Sequence, residues 1–286
     1  MDKMSLAAAN ALVGNRATEA AVEFAYAGGD WVVAAPSCRI AISGGAFNAT
    51  ADGMTLPPFS SAVLRYGQQL RIGSAAHRVW GYLAVAGGFD IPAEFGSRAT
   101  HVRTGIGGFG GRAILADDVL RLRLDRAPNE PERLMAPPTE DPGPYRLVLG
   151  PQEAFFDEDT LSRFLSGTYR VTWQQDRMAY RLDGPVLRHR NSYNIISDGV
   201  LPGCIQVPGT GLPIILMRDA GTVGGYPKIG TVIEADLGRL AQTRPESTVR
   251  FEAVSVAGAQ ALRRRFLARL QLIAEEVASP LPDIGM

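Results

Sequence analysis

The chain has 286 residues, of which 46% are hydrophobic and 20% are charged, and its 29 basic residues equal its 29 acidic ones. This balance predicts a globular protein of one large or two ordinary domains and excludes an intrinsically disordered chain. Because the formal net charge is zero, no uniform field attracts nucleic acid or an anionic membrane, and we expect neither as a partner.

Few residues suit a disulfide or a metal site. The two cysteines, Cys38 and Cys204, cannot build a disulfide scaffold, and the three histidines lack the i, i+4 spacing of a helical metal site. The longest apolar stretches fall short of the ~20 residues that span a bilayer. The charged start of the chain does not resemble a signal peptide. We therefore expect a cytoplasmic protein without a bound metal.

The first half of the chain begins with a predicted helix over Ser5–Val13 and continues with short strands. Apolar or alternating runs that are separated by glycine, proline and asparagine are typical of barrels and sandwiches. The predicted strands are Trp31–Ala35, Arg39–Ser43, Ala62–Tyr66, Arg78–Ala86 and Val119–Leu124.

A proline-rich segment divides the chain into two nearly equal parts. Residues 126–144 contain six of the 19 prolines, with acidic residues between them. This composition predicts an extended linker with little helix or sheet. We therefore predict a first domain over residues 1–125, the linker over 126–144 and a second domain over 145–286.

The second half is predicted to be mainly β as well, with two helices. Acidic residues at the start of Asp157–Leu165 suit a helix N-terminus, and apolar residues recur at helical spacing over Ala257–Val277. The predicted strands are Tyr145–Leu149, Tyr169–Trp173, Ile205–Val207, Pro213–Met217, Ile229–Ile233 and Thr248–Val256.

Lys228 stands out because lysine is rare in this chain. Lys3 and Lys228 are the only lysines among 29 basic residues, so a lysine within the fold departs from a strong preference for arginine. An ammonium group can lose its proton, whereas a guanidinium group stays charged. Lys228 is therefore a candidate for chemistry, although a surface lysine without a role fits the composition equally well.

Three segments of the second half concentrate polar groups. The first combines an acid with a guanidinium and a phenol, the second combines a glycine-rich backbone with an amide, and the third places a glycine pair before an ammonium. Each combination suits the binding of a carbonyl or an anion. For each segment alone, a structural turn with a satisfied ion pair is the simpler interpretation, whereas the three together favour a site. The candidates are Asp176, Arg177 and Tyr180; Ser197, Asp198 and Gln206; and Thr222, Gly224, Gly225, Tyr226 and Lys228.

The first half offers a smaller set of candidates. Arg98 and Arg103 stand beside hydroxyl residues and could clamp a carboxylate, or equally well pair with acids across a domain interface. The G-x-G-x-x-G match at Gly105–Gly110 is followed by a strand-like run and not by a helix, so it does not predict a dinucleotide site.

Five runs, in this order, resemble the biotin-dependent carboxyltransferase subdomain A/B family, whose members are also called allophanate hydrolase subunit 2-like proteins and C-type subunits of 5-oxoprolinase. They span most of the chain and include the glycine-rich G-S-R-x-T run and the S-D-G-x-x-P-G run. The matching positions are Gly96–Ala113, Gly150–Gln152, Asp176–Leu182, Ser197–Gly211 and Gly224–Ile229.

The resemblance implies a mainly β fold of two cyclophilin-like β-barrel subdomains with a few short helices and a C-terminal helix. It further implies a subunit 1-type partner, similar to the B-type subunit of 5-oxoprolinase, and a LamB/YcsF-type partner, similar to its A-type subunit. With such partners, family members cleave 5-oxoproline to glutamate using ATP. Fused to a biotin carboxylase, the same module moves a carboxyl group from carboxybiotin to urea.

The chain departs from the family pattern at several positions. The family usually begins with a further segment of the T-V-Q-D-x-G-R-x-G type, so either the start codon is misplaced or an edge of the first barrel is missing. Family members often carry Asn, Gln and Thr at the positions of Thr210, Leu212 and Val223, and Ser and Glu at those of Gln175 and Gly110. These departures leave the identity of the amide open.

The leading hypothesis is a subunit of an ATP-dependent amidohydrolase complex that opens a small cyclic amide, with 5-oxoproline as first choice. In this hypothesis Lys228, Arg177 and the Gly224–Gly225 amides neutralise phosphate and carboxylate, Asp176 orients a proton or an arginine, and Tyr180 and Gln206 hold the substrate carbonyl. The first alternative is carboxyl transfer from carboxybiotin to urea or a related amide, with biotin on another protein because the chain has no A-M-K-M run. The second is a non-catalytic regulatory binding subunit.

Overall fold

Strands outnumber helices in the computed structural model, which describes residues 1–277, and the predicted mainly β fold is confirmed. The chain forms two compact units. The N-terminal unit comprises Lys3–Pro138 together with residues 269–277, and the C-terminal unit comprises Met1–Asp2 together with Thr139–Ala268. The three-part division predicted from the proline-rich segment stays a prediction.

The N-terminal unit contains helix α1 and two four-stranded sheets. The sheets have the strand orders β1-β8-β3-β6 and β2-β7-β4-β5, and every neighbouring pair is antiparallel. The elements are α1 (Lys3–Leu12), β1 (Val22–Ala25), β2 (Ala27–Val32), β3 (Ser37–Ser43), β4 (Ala49–Ala51), β5 (Met54–Thr55), β6 (Ser61–Arg65), β7 (Gln69–Ser74) and β8 (Trp80–Val85).

Strand β3 contributes side chains to both apolar core clusters of this unit. Alternate residues of a strand point to opposite faces, so Cys38, Ile40 and Ile42 enter one apolar core cluster while Ala41 enters a second cluster, which also contains the alanines of α1. The small side chains of α1 suit close packing against a sheet. Burial also raises the pKa of the Cys38 thiol to about 11, as expected for a thiol that belongs to a core and not to a site.

Residues 119–124 do not form the predicted strand. Leu120 and Leu122 pack against the core as the alternating pattern requires, but this segment makes only the isolated bridge between Phe89 and Leu122. An alternating pattern reports burial on one face and does not by itself provide a neighbouring strand. The prediction of a strand there was wrong.

The proline-rich segment contains no helix or strand over residues 126–138, and part of it is fixed to the N-terminal unit. The Ala127 amide donates to the Ser37 hydroxyl, and the Arg133 amide donates to the Ser61 hydroxyl. Met135 is buried in the second core cluster. These contacts hold an extended chain along the β3–β6 side of this unit.

The C-terminal unit is built around an eight-stranded sheet with the order β17-β10-β11-β14-β13-β16-β9-β18. Its two edge strands are separated in the chain by Arg250 alone, so the sheet curls into a nearly closed barrel. The elements are β9 (Tyr145–Leu149), a 3₁₀ turn (Glu153–Phe155), α2 (Glu158–Ser166), β10 (Tyr169–Gln175), β11 (Ala179–Asp183), β12 (Asp198–Gly199), β13 (Cys204–Gln206), β14 (Ile214–Leu216), β15 (Val223–Gly224), β16 (Lys228–Val232), α3 (Glu234–Ala241), β17 (Thr248–Val249), β18 (Phe251–Ala253) and α4 (Val256–Leu272).

Helices α2 and α4 confirm the two helices predicted in this half. The N-terminus of α2 is capped by Asp157, whose side chain accepts the Thr160 amide. Helix α4 ends at Leu272 and a 3₁₀ turn follows over Ile273–Glu276. Within residues 1–277 no helix combines the length and the apolar character that a membrane crossing requires.

Two fully buried tyrosines of the barrel should respond in opposite directions to loss of the hydroxyl group. The Tyr169 hydroxyl has no hydrogen-bond partner within residues 1–277, and burial raises the pKa of Tyr169 to about 12. The Tyr180 hydroxyl donates to the Ala241 carbonyl at 2.6 Å. We expect Tyr169→Phe to leave the free energy of unfolding unchanged or to raise it, and Tyr180→Phe to lower it by about 1–2 kcal/mol. Urea denaturation of both variants checks this, and equal losses would contradict it.

Candidate functional site

Lys228 lies at the start of β16 with its ammonium group inside the C-terminal unit. The side chain is only 2% exposed. Its Nζ donates to Asp198 Oδ2 at 2.6 Å and to the Gly199 carbonyl at 2.9 Å. The lysine that stands out in the composition is therefore a buried cation with a defined anionic partner.

Two strand pairings bring the partners together. Lys228 on β16 lies opposite Gln206 on β13, where a register shift interrupts the ladder. Asp198 and Gly199 form the short strand β12, which pairs with β15 so that Asp198 lies opposite Gly224. The β12–β15 ribbon thus brings its carboxylate to the first residue of β16.

Gln152 completes this arrangement and was not among the candidates from sequence. Its side chain accepts the Lys228 amide at 3.2 Å through Oε1 and donates to Asp198 Oδ2 at 3.1 Å through Nε2. Its backbone amide donates to the Lys228 carbonyl at 3.2 Å. The one signal for it was its place in the G-P-Q run. We call Lys228, Asp198, Gly199, Gln152, Gln206 and Gly224 the Lys228 cluster.

Gln206 contributes an unpaired donor to the cluster. The residue is buried, and its Nε2 has no hydrogen-bond partner within residues 1–277. A Cβ at position 224 would overlap this nitrogen and would come within 3.2 Å of Gln206 Cδ. Glycine at 224 therefore provides the space in which the amide lies.

The cluster keeps one carboxylate charged. The hydrogen bond from Lys228 is the largest effect on Asp198 and lowers the pKa of its carboxyl group, and the contacts from Gln152 and the Gly199 amide lower it further. Asp198 is consequently ionised at neutral pH. The arrangement offers a fixed anionic acceptor on β12 and an amide donor on β13.

Asp176, Arg177 and Tyr180 have other partners. Asp176 Oδ1 accepts the backbone amides of Met178 and Ala179, at 2.7 and 3.0 Å, and so stabilises the β10–β11 turn. Arg177 makes two parallel hydrogen bonds to Asp219, at 2.8 and 2.9 Å. Tyr180 is buried and donates to α3 as described above. The structure gives these three residues contacts within turns and the core.

The sheet register separates Arg177 from Lys228. Gln206 lies opposite both Lys228 and Ile214, and Ile214 lies opposite Arg181. Arg177 precedes Arg181 by four residues and lies in the turn before β11, which is the third strand from β16 in the sheet. Lys228 and Gln206 therefore lie opposite each other, whereas the contacts of Asp176 and Arg177 are with Met178, Ala179 and Asp219. One pocket that contains Lys228, Gln206 and the Asp176–Arg177 pair stays a prediction.

The remaining candidates of the second half flank the ribbon. The Thr222 carbonyl accepts the Val200 amide at 3.0 Å, and the Gly225 carbonyl accepts the Ile195 amide at 2.9 Å. Ser197 and Tyr226 are exposed. Thr222 and Gly225 thus hold the two strands of the ribbon and its flanks together.

Arg98 and Arg103 belong to the N-terminal unit. Arg98 donates to the Ile91 carbonyl at 3.0 Å and lies 3.8 Å from Glu19, so its contacts lie within that unit. Arg103 is exposed. No group of three or more metal-ligating side chains comes together in the described part of the chain.

Two of the residues that depart from the family pattern are exposed. Val223 is an exposed residue of β15, and the exposed Thr210 hydroxyl accepts the Leu212 amide at 3.4 Å. Neither residue contributes a side chain to the core of the unit. The side chains of Val223 and Thr210 therefore lie outside the buried part of the cluster.

Replacing Gly224 with Ala should disturb the cluster. The added Cβ must displace the buried Gln206 amide, so we expect a loss of about 1–3 kcal/mol in the free energy of unfolding, as for other overpacked sites. Gly221→Ala is the matched control, because its Cβ meets nothing closer than 3.7 Å. Chemical denaturation compares the two, and equal stabilities would show that the amide can move freely.

Comparison with known proteins gives consistent results. Residues 1–253 match the family described as "Carboxyltransferase domain, subdomain A and B". The chain is 34% identical to the C-type subunit of 5-oxoprolinase from Haemophilus influenzae, over 96% of this chain and 89% of that protein, and 34% identical to that from Escherichia coli, over 85% and 77%. The crystal structure of the K. lactis urea amidolyase is similar to 96% of this chain with a TM-score of 0.86 at 25% identity. This chain spans 18% of that longer protein.

Proposed function

Because the chain belongs to the carboxyltransferase domain, subdomain A and B, family, we propose that it is one subunit of an ATP-dependent amidohydrolase complex that opens a small cyclic amide. The first substrate to consider is 5-oxoproline, which would be opened to L-glutamate. The 34% identity to two proteins named as C-type subunits of 5-oxoprolinase, over most of both chains, supports this choice. Because those relatives are named as subunits, we propose that this chain also has partner proteins. The proposed partners are a subunit 1-type protein and a LamB/YcsF-type protein.

The observation that carries this proposal is the Lys228 cluster. A lactam ring presents a carbonyl acceptor and an N–H donor, and a site for it needs a donor and an acceptor in fixed positions. The cluster provides the unpaired Gln206 amide on β13 and the ionised Asp198 carboxylate on β12. Buried polar groups of this kind discriminate strongly against ligands that leave them unpaired.

The cluster does not fit the triphosphate of ATP. A phosphate site needs exposed cations or free backbone amides, whereas the Lys228 ammonium is 2% exposed and already bound to Asp198. Arg177 is likewise bound by Asp219. We therefore assign ATP to the complex as a whole, and assign binding and orientation of the amide to this chain.

A reconstituted complex tests the proposal. The chain is co-expressed with its subunit 1-type and LamB/YcsF-type neighbours, and glutamate formation from 5-oxoproline is measured with and without ATP. We expect ATP-dependent glutamate formation that is lost when any one of the three proteins is omitted. No turnover with all partners present would contradict the proposal and favour a non-catalytic regulatory binding subunit.

The similarity to the K. lactis urea amidolyase favours a second candidate. In this case the chain accepts a carboxyl group from carboxybiotin and transfers it to urea or a related amide, with biotin supplied on another protein. Incorporation of labelled bicarbonate into urea in the presence of a biotin carboxylase and its biotin carrier would support this function. Glutamate formation without bicarbonate dependence would exclude it.

A further inference from the structure

The two charged members of the Lys228 cluster differ in how far solvent reaches them. The Lys228 side chain is 2% exposed, whereas the Asp198 side chain is 52% exposed. Lys228 Nζ already donates to a carboxylate and to a carbonyl. A molecule that arrives from solvent therefore meets the carboxylate, and the ammonium lies beneath it.

Asp198 has one acceptor position left. Its Oδ2 accepts from Lys228 Nζ and from Gln152 Nε2, and its Oδ1 accepts from the Gly199 amide at 2.8 Å. A carboxylate oxygen can accept about two hydrogen bonds, so Oδ2 is saturated by the residues described and Oδ1 has room for one more. That position belongs to the half-exposed side chain.

We propose that Asp198 is the residue of the Lys228 cluster that contacts the amide, by accepting its N–H through Oδ1, and that Lys228 is a positioning residue that acts through Asp198. This assignment rests on the amide-binding site of the proposed function and goes beyond it by reversing the roles of the two charged residues. It also restricts the substrate to amides that carry an N–H.

The neighbouring donor restricts the substrate class further. Residues directly opposite each other in an antiparallel pair project to the same face, and Asp198 lies opposite Gly224. The Cβ direction of Gly224 points at the Gln206 amide, so the Asp198 side chain leaves the ribbon on the same face. A lactam or urea presents its N–H and C=O on one side of the planar amide, whereas a trans amide presents them on opposite sides. The Asp198 carboxylate and the Gln206 amide lie on one face of the ribbon, which is the arrangement that a cis amide requires.

Within residues 1–277, few charged groups act on Asp198. Lys228 faces it from β16, neutral Gln152 faces it from the segment after β9, and β15 places Val223 and Gly224 opposite β12. The pKa of Asp198 is lowered mainly by Lys228. The proposed contact therefore persists as the pH falls to the ordinary range of a carboxyl group and is lost as the pH falls through the lowered value. Without Lys228 this loss should occur at higher pH.

A double-substitution cycle on the co-purified complex tests the contact. Calorimetry measures the affinity of 5-oxoproline and of N-methyl-5-oxoproline for wild type and for Asp198→Asn. We expect N-methylation to weaken binding about tenfold or more in wild type, the size of a hydrogen bond to a charged group, and to weaken it much less in Asp198→Asn. Asp30→Asn is the matched control, because Asp30 is also exposed and also forms an ion pair, in its case with Arg71.

The pH dependence of 5-oxoproline binding tests whether Lys228 acts on the ligand through Asp198 or only supports the fold. We expect the acid limb of 5-oxoproline binding to move to higher pH in Lys228→Met and to stay in place in Asp30→Asn. Thermal melting of each variant identifies any loss of folding, and Asp198→Glu provides a second variant that keeps the charge. Partial recovery of the N-methylation effect in Asp198→Glu is expected if the carboxylate accepts the N–H.

The outcomes separate this inference from the proposed function. An N-methylation effect of equal size in wild type and Asp198→Asn would overturn the contact, even if the complex forms glutamate. A reduced effect in Asp198→Asn, together with no ATP-dependent turnover, would support the contact and contradict the proposed hydrolysis. Absence of binding of both 5-oxoproline and urea to the wild-type complex would overturn the inference itself.

Discussion

Replacing Lys228 with Met is expected to reduce ATP-coupled turnover of 5-oxoproline by about 10- to 100-fold while the complex still assembles. Methionine fills a similar volume but carries no charge. Asp198 therefore loses the hydrogen bond that orients its side chain and that keeps the pKa of its carboxyl group low. Loss of a hydrogen bond to a charged group costs about 1.5–3 kcal/mol, which corresponds to this range in rate. Asp198 is half-exposed, so water can solvate the released carboxylate and folding should be retained.

The chain offers a matched control for this substitution. Lys3 is the other lysine and is exposed at the start of α1, so Lys3→Met removes the same group without touching the cluster. Glutamate formation and co-purification of the partner proteins are measured for both variants. Undiminished turnover in Lys228→Met, with wild-type assembly, would remove Lys228 from the site.

Much of the barrel follows from the sequence because apolar alternation and turn residues are local signals. Helix α3 was missed for a local reason as well: Gly238 lowers the helix propensity in the middle of an eight-residue segment. In the structure a Cβ at this position would lie 2.8 Å from Asp2 Oδ1. The glycine therefore serves the packing of the first residues of the chain, which lie more than 200 positions away.

The cluster was only partly predictable because several of its contacts join residues that are distant in the sequence. Lys228 stood out because of composition, and Asp198 and Gln206 lay in a recognisable run. Gln152 reaches Lys228 across 76 residues of sequence, and no local pattern indicates such a contact. Arg177 looked available in sequence, but its partner Asp219 lies 42 residues away, in the loop after β14. Both contacts join segments that are distant in the sequence.

The largest expected loss of stability comes from Asp236, a 2% exposed carboxylate in the first turn of α3. Its Oδ2 accepts the Arg146 backbone amide at 2.8 Å and Arg146 Nε at 3.0 Å, and its Oδ1 accepts a third bond from the same guanidinium. We expect Asp236→Ala to lower the free energy of unfolding by about 3 kcal/mol, at the lower end of the cost of breaking a buried pair, because Arg146 retains some access to solvent.

A second aspartate on a helix separates this effect from the loss of any ion pair. Asp159 on α2 binds Arg163 at 2.9 Å, but the carboxylate is 80% exposed, so Asp159→Ala should change the free energy of unfolding by less than about 0.5 kcal/mol. Denaturation curves of both variants, with Asp236→Asn to separate charge from shape, provide the measurement. Equal small losses would mean that the Asp236–Arg146 contact is not what holds α3 to β9. A loss confined to Asp236 would show that this carboxylate, which satisfies the Arg146 backbone amide and side chain together, fixes the helix to the strand that precedes Gln152.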